Sequence, residues 1–195
     1  MIAAVVLAAG AGRRFGGPKQ VRVHDGKPLV RWTVEAALGA GCAPVFVVVG
    51  AYADETRRAI DGLAVRVLAN PGWPEGMASS IRCGVAAAAQ DPESAGVLLV
   101  PCDVPAIDAQ VLGRVLATAV GDDGVIRTTA CAYAGTVGTP AVFPRSRFAR
   151  LMALEGDRGA KVVLLDEPEI ARVDWPAGAL DVDDPADRPP SGHGL

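Results

Sequence analysis

The sequence predicts a three-layer α/β/α fold built on a mostly parallel, doubly wound sheet of the Rossmann-like kind. Apolar runs such as residues 2–8 and 44–50 show no polar alternation, which is typical of strands buried on both faces. Segments with helical periodicity separate these runs through the first two thirds of the chain. This alternation indicates right-handed crossovers between parallel strands. Ligands of such sheets bind beyond the carboxyl ends of the strands.

The individual elements follow from apolar periodicity and from capping residues. Strands are expected at residues 2–8, 44–50, 63–69, 95–103, 125–133, 141–143, 169–173 and 179–183. A turn at Asp25-Gly26 precedes a first helix that begins near Pro28, because proline suits a first helical turn. Further helices are expected at residues 53–60, 80–89, 109–119, 146–154 and 158–165. The capping residues of the last four would include Ser79 or Ser80, Asp108 and Asp157.

Composition and charge narrow the function classes. The chain has 195 residues, 50% of them hydrophobic, and a formal net charge of −3. One domain is expected over residues 1–185, followed by a short frayed tail at 186–195. A nucleic-acid binder would normally be basic, so no nucleic-acid partner is expected. No apolar run reaches the ~18 residues of a membrane span, so no membrane partner is expected either.

The cysteines point to a reducing compartment. Their positions are Cys42, Cys83, Cys102 and Cys131. No two of them form a CxxC pair, so a disulfide framework or a zinc site is not expected. The apolar run at residues 2–8 has no basic segment before it. A cytoplasmic protein with reduced, mostly buried thiols is therefore predicted.

The stretch "VVLAAGAGRRFGGPK", residues 5–19, is the strongest candidate for a ligand site. Gly10 and Gly12 fit a dinucleotide-binding fingerprint, but the third glycine is replaced by Phe15 and the Walker A pattern is absent. A plain strand-to-helix turn would also explain the glycines. Clustered glycines beside Arg13, Arg14 and Lys19 at the ligand edge of the sheet favour a polyphosphate site.

Six motifs, in order, resemble the nucleotidyltransferases with a MobA-like fold, in particular the molybdenum-cofactor cytidylyltransferase (MocA-like) branch. They are "LAAGAGRRFGGPK", "NPGWPEGMASSIRCG", "PCDVPAI", "GTPAVFP", "GDRGAK" and "DVDDPAD". The second and fifth are the most specific to that branch. The resemblance implies the nucleotide-diphospho-sugar transferase type of α/β fold. It also implies attack of an acceptor phosphate on the α-phosphorus of a nucleoside triphosphate, with release of pyrophosphate.

The resemblance also implies roles for individual residues. Arg14 and Lys19 would bind the triphosphate, and Asp103 with Asp183 would bind Mg²⁺. Further contacts to the nucleotide would come from Leu7, Ala8, Ala9, Gly10, Gly12, Asn70 and Ser80. Contacts to the acceptor would come from Trp73, Met77, Ser79 and Asp157. Structural roles stay open for several of these residues: Asp103 and Asn70 as turn residues, and Ser79, Ser80 and Asp157 as helix caps.

The base and the acceptor follow from finer features. Guanylyl members of the family read LAGG where this chain has Ala9, and the extra methyl favours a smaller pyrimidine, hence CTP. The implied acceptor is molybdopterin carrying molybdenum, and the product would serve a molybdoenzyme of the xanthine dehydrogenase type or its chaperone. Alternatives are guanylyl transfer to the same cofactor, a sugar-phosphate nucleotidyltransferase, and a delivery protein that binds these ligands without catalysis.

Overall fold

The computed structural model describes residues 1–12 and 16–179. The strands are β1 (Ile2–Ala8), β2 (Val23–His24), β3 (Lys27–Pro28), β4 (Val45–Val49), β5 (Arg66–Ala69), β6 (Gly96–Pro101), β7 (Thr129–Tyr133), β8 (Thr136–Pro144) and β9 (Ala171–Asp174). The α-helices are α1 (Leu29–Gly39), α2 (Ala53–Ala59), α3 (Met77–Gln90), α4 (Ala109–Ala119), α5 (Phe148–Met152) and α6 (Lys161–Leu165). Short 3₁₀-helices lie at Lys19–Val21, Trp73–Glu75, Arg145–Arg147 and Pro176–Ala179.

The central sheet has seven strands in the order β5-β4-β1-β6-β8-β7-β9. Strands β5, β4, β1 and β6 pair in parallel, β8 runs antiparallel to both of its neighbours, and β7 and β9 are parallel to each other. The chain builds outward from β1 to β4 and β5, then returns to place β6 on the other side of β1. This reversal creates a topological switch point at the carboxyl end of β1, where a ligand site is expected. The mostly parallel α/β sheet predicted from the sequence is confirmed.

Two apolar clusters cover the two faces of the sheet. One packs α1 and α4 against it through residues such as Val34 and Leu112, both fully buried. The other packs α3 and α5 against the opposite face through residues such as Ile81 and Leu151. The three predicted layers are therefore present, and the unbroken apolarity of β1 reflects burial on both faces.

Two predicted helix caps are wrong, and one is confirmed. Helix α3 begins at Met77 with Gly76 as its N-cap, so Ser79 and Ser80 lie inside its first turn. Helix α6 begins at Lys161, too far along the chain for Asp157 to cap it. Helix α3 begins earlier than predicted because the backbones of Gly76 and Gly156 are in contact and the carbonyl of Gly156 accepts a hydrogen bond from the Ala78 amide. No side-chain pattern in the sequence indicates this start. Asp108 does cap α4, since its Oδ1 accepts a hydrogen bond from the Val111 amide at 2.8 Å.

Some predicted features lie outside the described residues. These are Arg13, Arg14, Asp183 and the tail at 186–195. The strand expected at 179–183 also falls there except for residue 179, which ends a 3₁₀-helix. Among the described residues, all four cysteines are free thiols. Across that same part of the chain, no helix is both long and apolar enough to span a membrane.

Candidate functional site

The carboxyl ends of β1, β4 and β6 meet at one edge of the sheet. Ala8 pairs with Val49, and Leu7 pairs with Pro101, so the segments that follow these three strands leave the sheet side by side. The amide of Ala51 donates to the carbonyl of Ala9 at 3.1 Å, which ties the first two of these segments together. The opening loop and the segment with Asp103 therefore share one site, as the sequence predicts.

The glycine loop closes on itself around Gly12. The carbonyl of Gly12 accepts hydrogen bonds from the amides of Gly16 at 2.9 Å and Gly17 at 3.3 Å. Gly12 has a φ of +60°, and a Cβ at this position would lie 1.8 Å from the Gly17 carbonyl oxygen. Only glycine fits this conformation, which accounts for Gly12 in place of the serine of the family signature. By contrast, a Cβ on Gly10 would meet no atom of residues 1–12 or 16–179 within 4 Å, so within this part of the chain that side of the loop is open to a ligand.

A buried glutamine supports this loop from behind. The side chain of Gln20 donates from Nε2 to the carbonyl of Gly10 at 3.2 Å. Gln20 is buried although it is polar, and its bond to Gly10 fixes the backbone that faces the open side of the loop. The sequence analysis missed this residue. Its position next to Lys19, in a segment without clear periodicity, gives no signal by itself.

Lys19 and Asp103 face each other across the site. Lys19 begins a 3₁₀-helix after the glycine loop, and Asp103 follows β6. The Nζ of Lys19 lies 4.0 Å from Oδ2 of Asp103, and their side chains are 13% and 34% exposed. An ammonium group and a carboxylate thus lie next to each other at the switch point.

The described residues supply only part of a possible set of metal ligands. In residues 1–12 and 16–179, no three His, Cys, Asp or Glu side chains gather around a common point. Asp103 lies at the open edge, and its predicted partner, Asp183, lies outside the described residues. A single carboxylate suits Mg²⁺ when phosphate oxygens and water supply the other ligands. The donor chemistry therefore fits a metal ion that arrives with a polyphosphate.

Cys102, next to Asp103, is a packing residue. Burial, with the Asp103 charge as a smaller contribution, raises the pKa of the Cys102 thiol well above its usual range. A neutral, buried thiol is a poor nucleophile. The structure therefore gives no support for cysteine catalysis at this edge.

Asn70 connects the end of β5 to α3 through hydrogen bonds of its side chain. Its Nδ2 donates to Ser79 Oγ at 2.9 Å and to Ser80 Oγ at 3.1 Å, and its Oδ1 accepts from the Gly72 amide at 3.0 Å. All three side chains of this group are buried. Both amide hydrogens of Asn70 are thus used within the protein. Asn70 and Ser80 thus hold the loop at residues 70–76 in place beside the site. Direct contacts from these two side chains to a nucleotide stay a prediction.

Two distant segments come together to form the neighbouring surface. Trp73 is half-buried against the apolar cluster under α3, and Met77 is 52% exposed at the start of that helix. A Cβ on Gly76 would lie 2.5 Å from Oδ1 of Asp157, and one on Gly159 would lie 3.0 Å from the sulfur of Met77. The structure therefore brings together Trp73, Met77, Ser79 and Asp157, the four residues expected to bind the acceptor.

The methyl group of Ala9 does not point into the open loop. Ala9 is 3% exposed and packs in the cluster under α3. A Cβ on Gly50 would lie 2.8 Å from the Cβ of Ala9 and 2.8 Å from that of Trp73. The burial of this methyl therefore gives no support to the expected narrowing of the loop.

Comparison with known proteins finds curated relatives of similar sequence. A nicotine blue oxidoreductase of Paenarthrobacter nicotinovorans is 32% identical over 177 residues, which cover 86% of this chain and 83% of that protein. The bifunctional protein GlmU of Sorangium cellulosum is 34% identical over 119 residues, and the match covers only 24% of that longer protein.

Solved structures show the same architecture. Rv0371c of Mycobacterium tuberculosis H37Rv superimposes with a TM-score of 0.75 and 28% identity over 93% of this chain and 92% of that one. It has also been solved in complex with manganese. A nucleotidyl transferase of Methanothermobacter gives a TM-score of 0.77 and 25% identity over 96% of this chain and 94% of that one. A family model, the MobA-like NTP transferase domain, matches residues 4–171, and the chain belongs to this family.

Proposed function

We propose that this member of the MobA-like nucleotidyltransferases is a CTP:molybdopterin cytidylyltransferase. It would join CMP from CTP to the terminal phosphate of molybdenum-loaded molybdopterin and release pyrophosphate. The observation that carries the proposal is the pairing of Lys19 with Asp103, 4.0 Å apart, beside the open face of the glycine loop. The choice of CTP and of this acceptor is supported by the motif at residues 70–84.

The residues of this chain would act by positioning and by electrostatics. The acceptor phosphate is already ionised near neutral pH, so no strong protein base is required. The ammonium of Lys19, with Arg14, would hold the triphosphate and offset the charge on the leaving pyrophosphate. The loop around Gly10 would let the backbone approach the nucleotide closely. Asp103, with Asp183, would hold Mg²⁺, which neutralises charge on the phosphates when bound.

The second substrate would lie against the surface formed by residues 70–80 and 156–159. Trp73 would stack on a pterin, and Asp157 offers a carboxylate for its ring nitrogens. We place the reaction in the cytoplasm, within a catalytic domain of residues 1–185. The product would pass to a molybdoenzyme of the xanthine dehydrogenase type or to its chaperone.

The nicotine blue oxidoreductase match favours one second candidate, reduction of a dye-like heterocycle at the same edge of the sheet. That relative shares most of its length with this chain. A redox enzyme would oxidise NADH or NADPH in the presence of the heterocycle and would release no pyrophosphate. The two candidates therefore differ in a product that is easily measured.

The test is pyrophosphate release by the purified chain with Mg²⁺ or Mn²⁺ and each of CTP, GTP, ATP and UTP. Each nucleotide is assayed with and without molybdenum-loaded molybdopterin, and with sugar phosphates as other acceptors. Release with CTP only when the pterin is present is the expected result. Release with GTP or with a sugar phosphate corrects the substrate. Binding of both ligands without release supports the delivery protein. Oxidation of NADH or NADPH in a separate assay that contains the heterocycle supports the oxidoreductase.

A further inference from the structure

One arginine outside the predicted site joins its two acceptor segments. Arg82 lies in α3, and its Nη2 donates to Oε2 of Glu75 at 2.6 Å. Its Nη1 donates to the carbonyl of Leu154 at 2.6 Å. Glu75 belongs to the loop with Trp73, and Leu154 begins the segment that leads to Asp157. A single planar guanidinium thus donates to both segments at once. A lysine ammonium, which is a compact point charge, bridges two such acceptors less well.

Backbone bonds lock the same two segments close to this arginine. The carboxylate of Glu75 accepts a hydrogen bond from the backbone of Gly156. In the opposite direction, the Ala78 amide donates to the carbonyl of Gly156 at 3.1 Å. The hydrogen bond from Arg82 is the main reason why the pKa of Glu75 is below its usual range, so this carboxylate stays ionised at neutral pH.

We infer that Arg82 and Glu75 are positioning residues that set the spacing between Met77 and Asp157 in the acceptor site. This inference rests on the proposed function. Neither side chain needs to touch the acceptor, because each acts through a loop. The acceptor is a phosphate ester with a flat polar ring system, and binding it to both segments requires Met77 and Asp157 at a fixed spacing. A small shift of one segment would weaken its binding and leave the glycine loop unchanged.

A merely structural ion pair would behave differently. The side chains of Arg82 and Glu75 are 26% and 43% exposed, and ion pairs of this exposure contribute little to global stability. A positioning role therefore predicts a local effect: weaker acceptor binding at an unchanged melting temperature. A structural role predicts the reverse, with loss of stability and proportional loss of every activity.

The test compares Arg82→Lys and Glu75→Gln with Arg127→Lys as the matched control. Arg127 forms a similar 2.6 Å pair with Asp123, at the opposite edge of the sheet. We expect Arg82→Lys to raise the KM for molybdopterin about tenfold, the size expected when a hydrogen bond to a charged group is lost. The KM for CTP and the melting temperature stay unchanged. The double variant that combines Arg82→Lys with Glu75→Gln should show the same KM for molybdopterin as Arg82→Lys alone, because the two residues act as one unit.

Binding of molybdenum-loaded molybdopterin to the wild type, measured by equilibrium dialysis, separates the two proposals. A wild type that binds the pterin without turnover rejects the transferase, and the dissociation constants of the variants then test the positioning role. Equal pterin affinity in the wild type and Arg82→Lys overturns the inference alone. A wild type that does not bind the pterin overturns both. A parallel rise of both KM values, or a lower melting temperature, also overturns the positioning role.

Discussion

The ammonium of Lys19 lies 4.0 Å from the carboxylate of Asp103, between the segments that follow β1 and β6. The two residues are far apart in the chain, and the parallel pairing of β1 with β6 brings them to one edge. Because the two charges are opposite, each partly cancels the electrostatic potential of the other at this edge of the sheet. A polyphosphate with its metal ion would engage both, because the phosphates need the cation and the metal needs the carboxylate.

Asp103→Asn tests the metal half of this arrangement. The amide keeps the shape of the side chain and loses the charge that a hard divalent cation prefers. We expect pyrophosphate release to fall at least about 100-fold, with a higher Mg²⁺ concentration at half-maximal rate. CTP binding measured without metal should stay close to that of the wild type.

The matched control is Asp108→Asn, five residues further along the chain. Asp108 caps α4 through the Val111 amide, and asparagine caps helices about equally well. Its activity and stability should therefore match the wild type. A full rate in Asp103→Asn at every metal concentration would remove Asp103 from the metal site.

Gly12→Ala tests the conformation of the glycine loop. The new methyl would lie 1.8 Å from the Gly17 carbonyl oxygen, at a φ of +60°, so the loop has to open. We expect CTP to bind at least about tenfold more weakly, a change that isothermal titration calorimetry resolves. Gly62→Ala is the control, because Gly62 has a φ of +79° and no atom of the described residues lies within 4 Å of its Cβ position. That variant should lose about 1 kcal/mol of stability and no CTP affinity.

The burial of the thiols predicts both their reactivity and a pH effect on stability. Burial raises the pKa of Cys42 and of Cys131 from 9.0 to about 12. In the unfolded chain these thiols ionise near pH 9, so the free energy of unfolding should fall as the pH rises from about 9 toward 12. Urea titrations at pH 8 and pH 10 measure this loss.

A thiol reagent gives the second readout of the same burial. At pH 8 the native protein should react first at Cys83, which is half-buried, and the other three thiols should react only after unfolding. Cys83→Ser should remove the early reaction. Rapid labelling of Cys42 or Cys131 in the native state would contradict the burial of that thiol.

The fold was predictable because its main signals are local. Strands buried on both faces leave unbroken apolar runs, and β1 and β4 match the predicted ranges within a few residues. The shared edge of Lys19 and Asp103 follows from one rule about parallel sheets. The family expected from the six motifs is confirmed by the match over residues 4–171.

The remaining features depend on contacts between distant segments. Helix α3 starts at Met77 because the Ala78 amide bonds to Gly156, and no capping side chain marks that start. The bond from Arg82 to the Leu154 carbonyl joins residues 72 positions apart. From the sequence alone, an arginine such as Arg82 in a helical segment is expected to lie on the solvent-exposed face. Its partner is visible only once the chain has folded.

Gly84 in α3 tests how closely that helix packs on the sheet. A Cβ on Gly84 would lie 2.2 Å from Cγ1 of Val5 in β1, which is fully buried, so Gly84→Ala should cost about 1–3 kcal/mol through overpacking. In the part of the chain that the structure describes, a Cβ on Gly113 in α4 meets no atom within 4 Å, so Gly113→Ala should gain roughly 0.5–1 kcal/mol from helix propensity. Urea unfolding measures both values. Adding Val5→Ala should remove most of the clash, so the double variant should be more stable than the sum of the single effects. Strict additivity would show that the loss at Gly84 does not come from its contact with Val5.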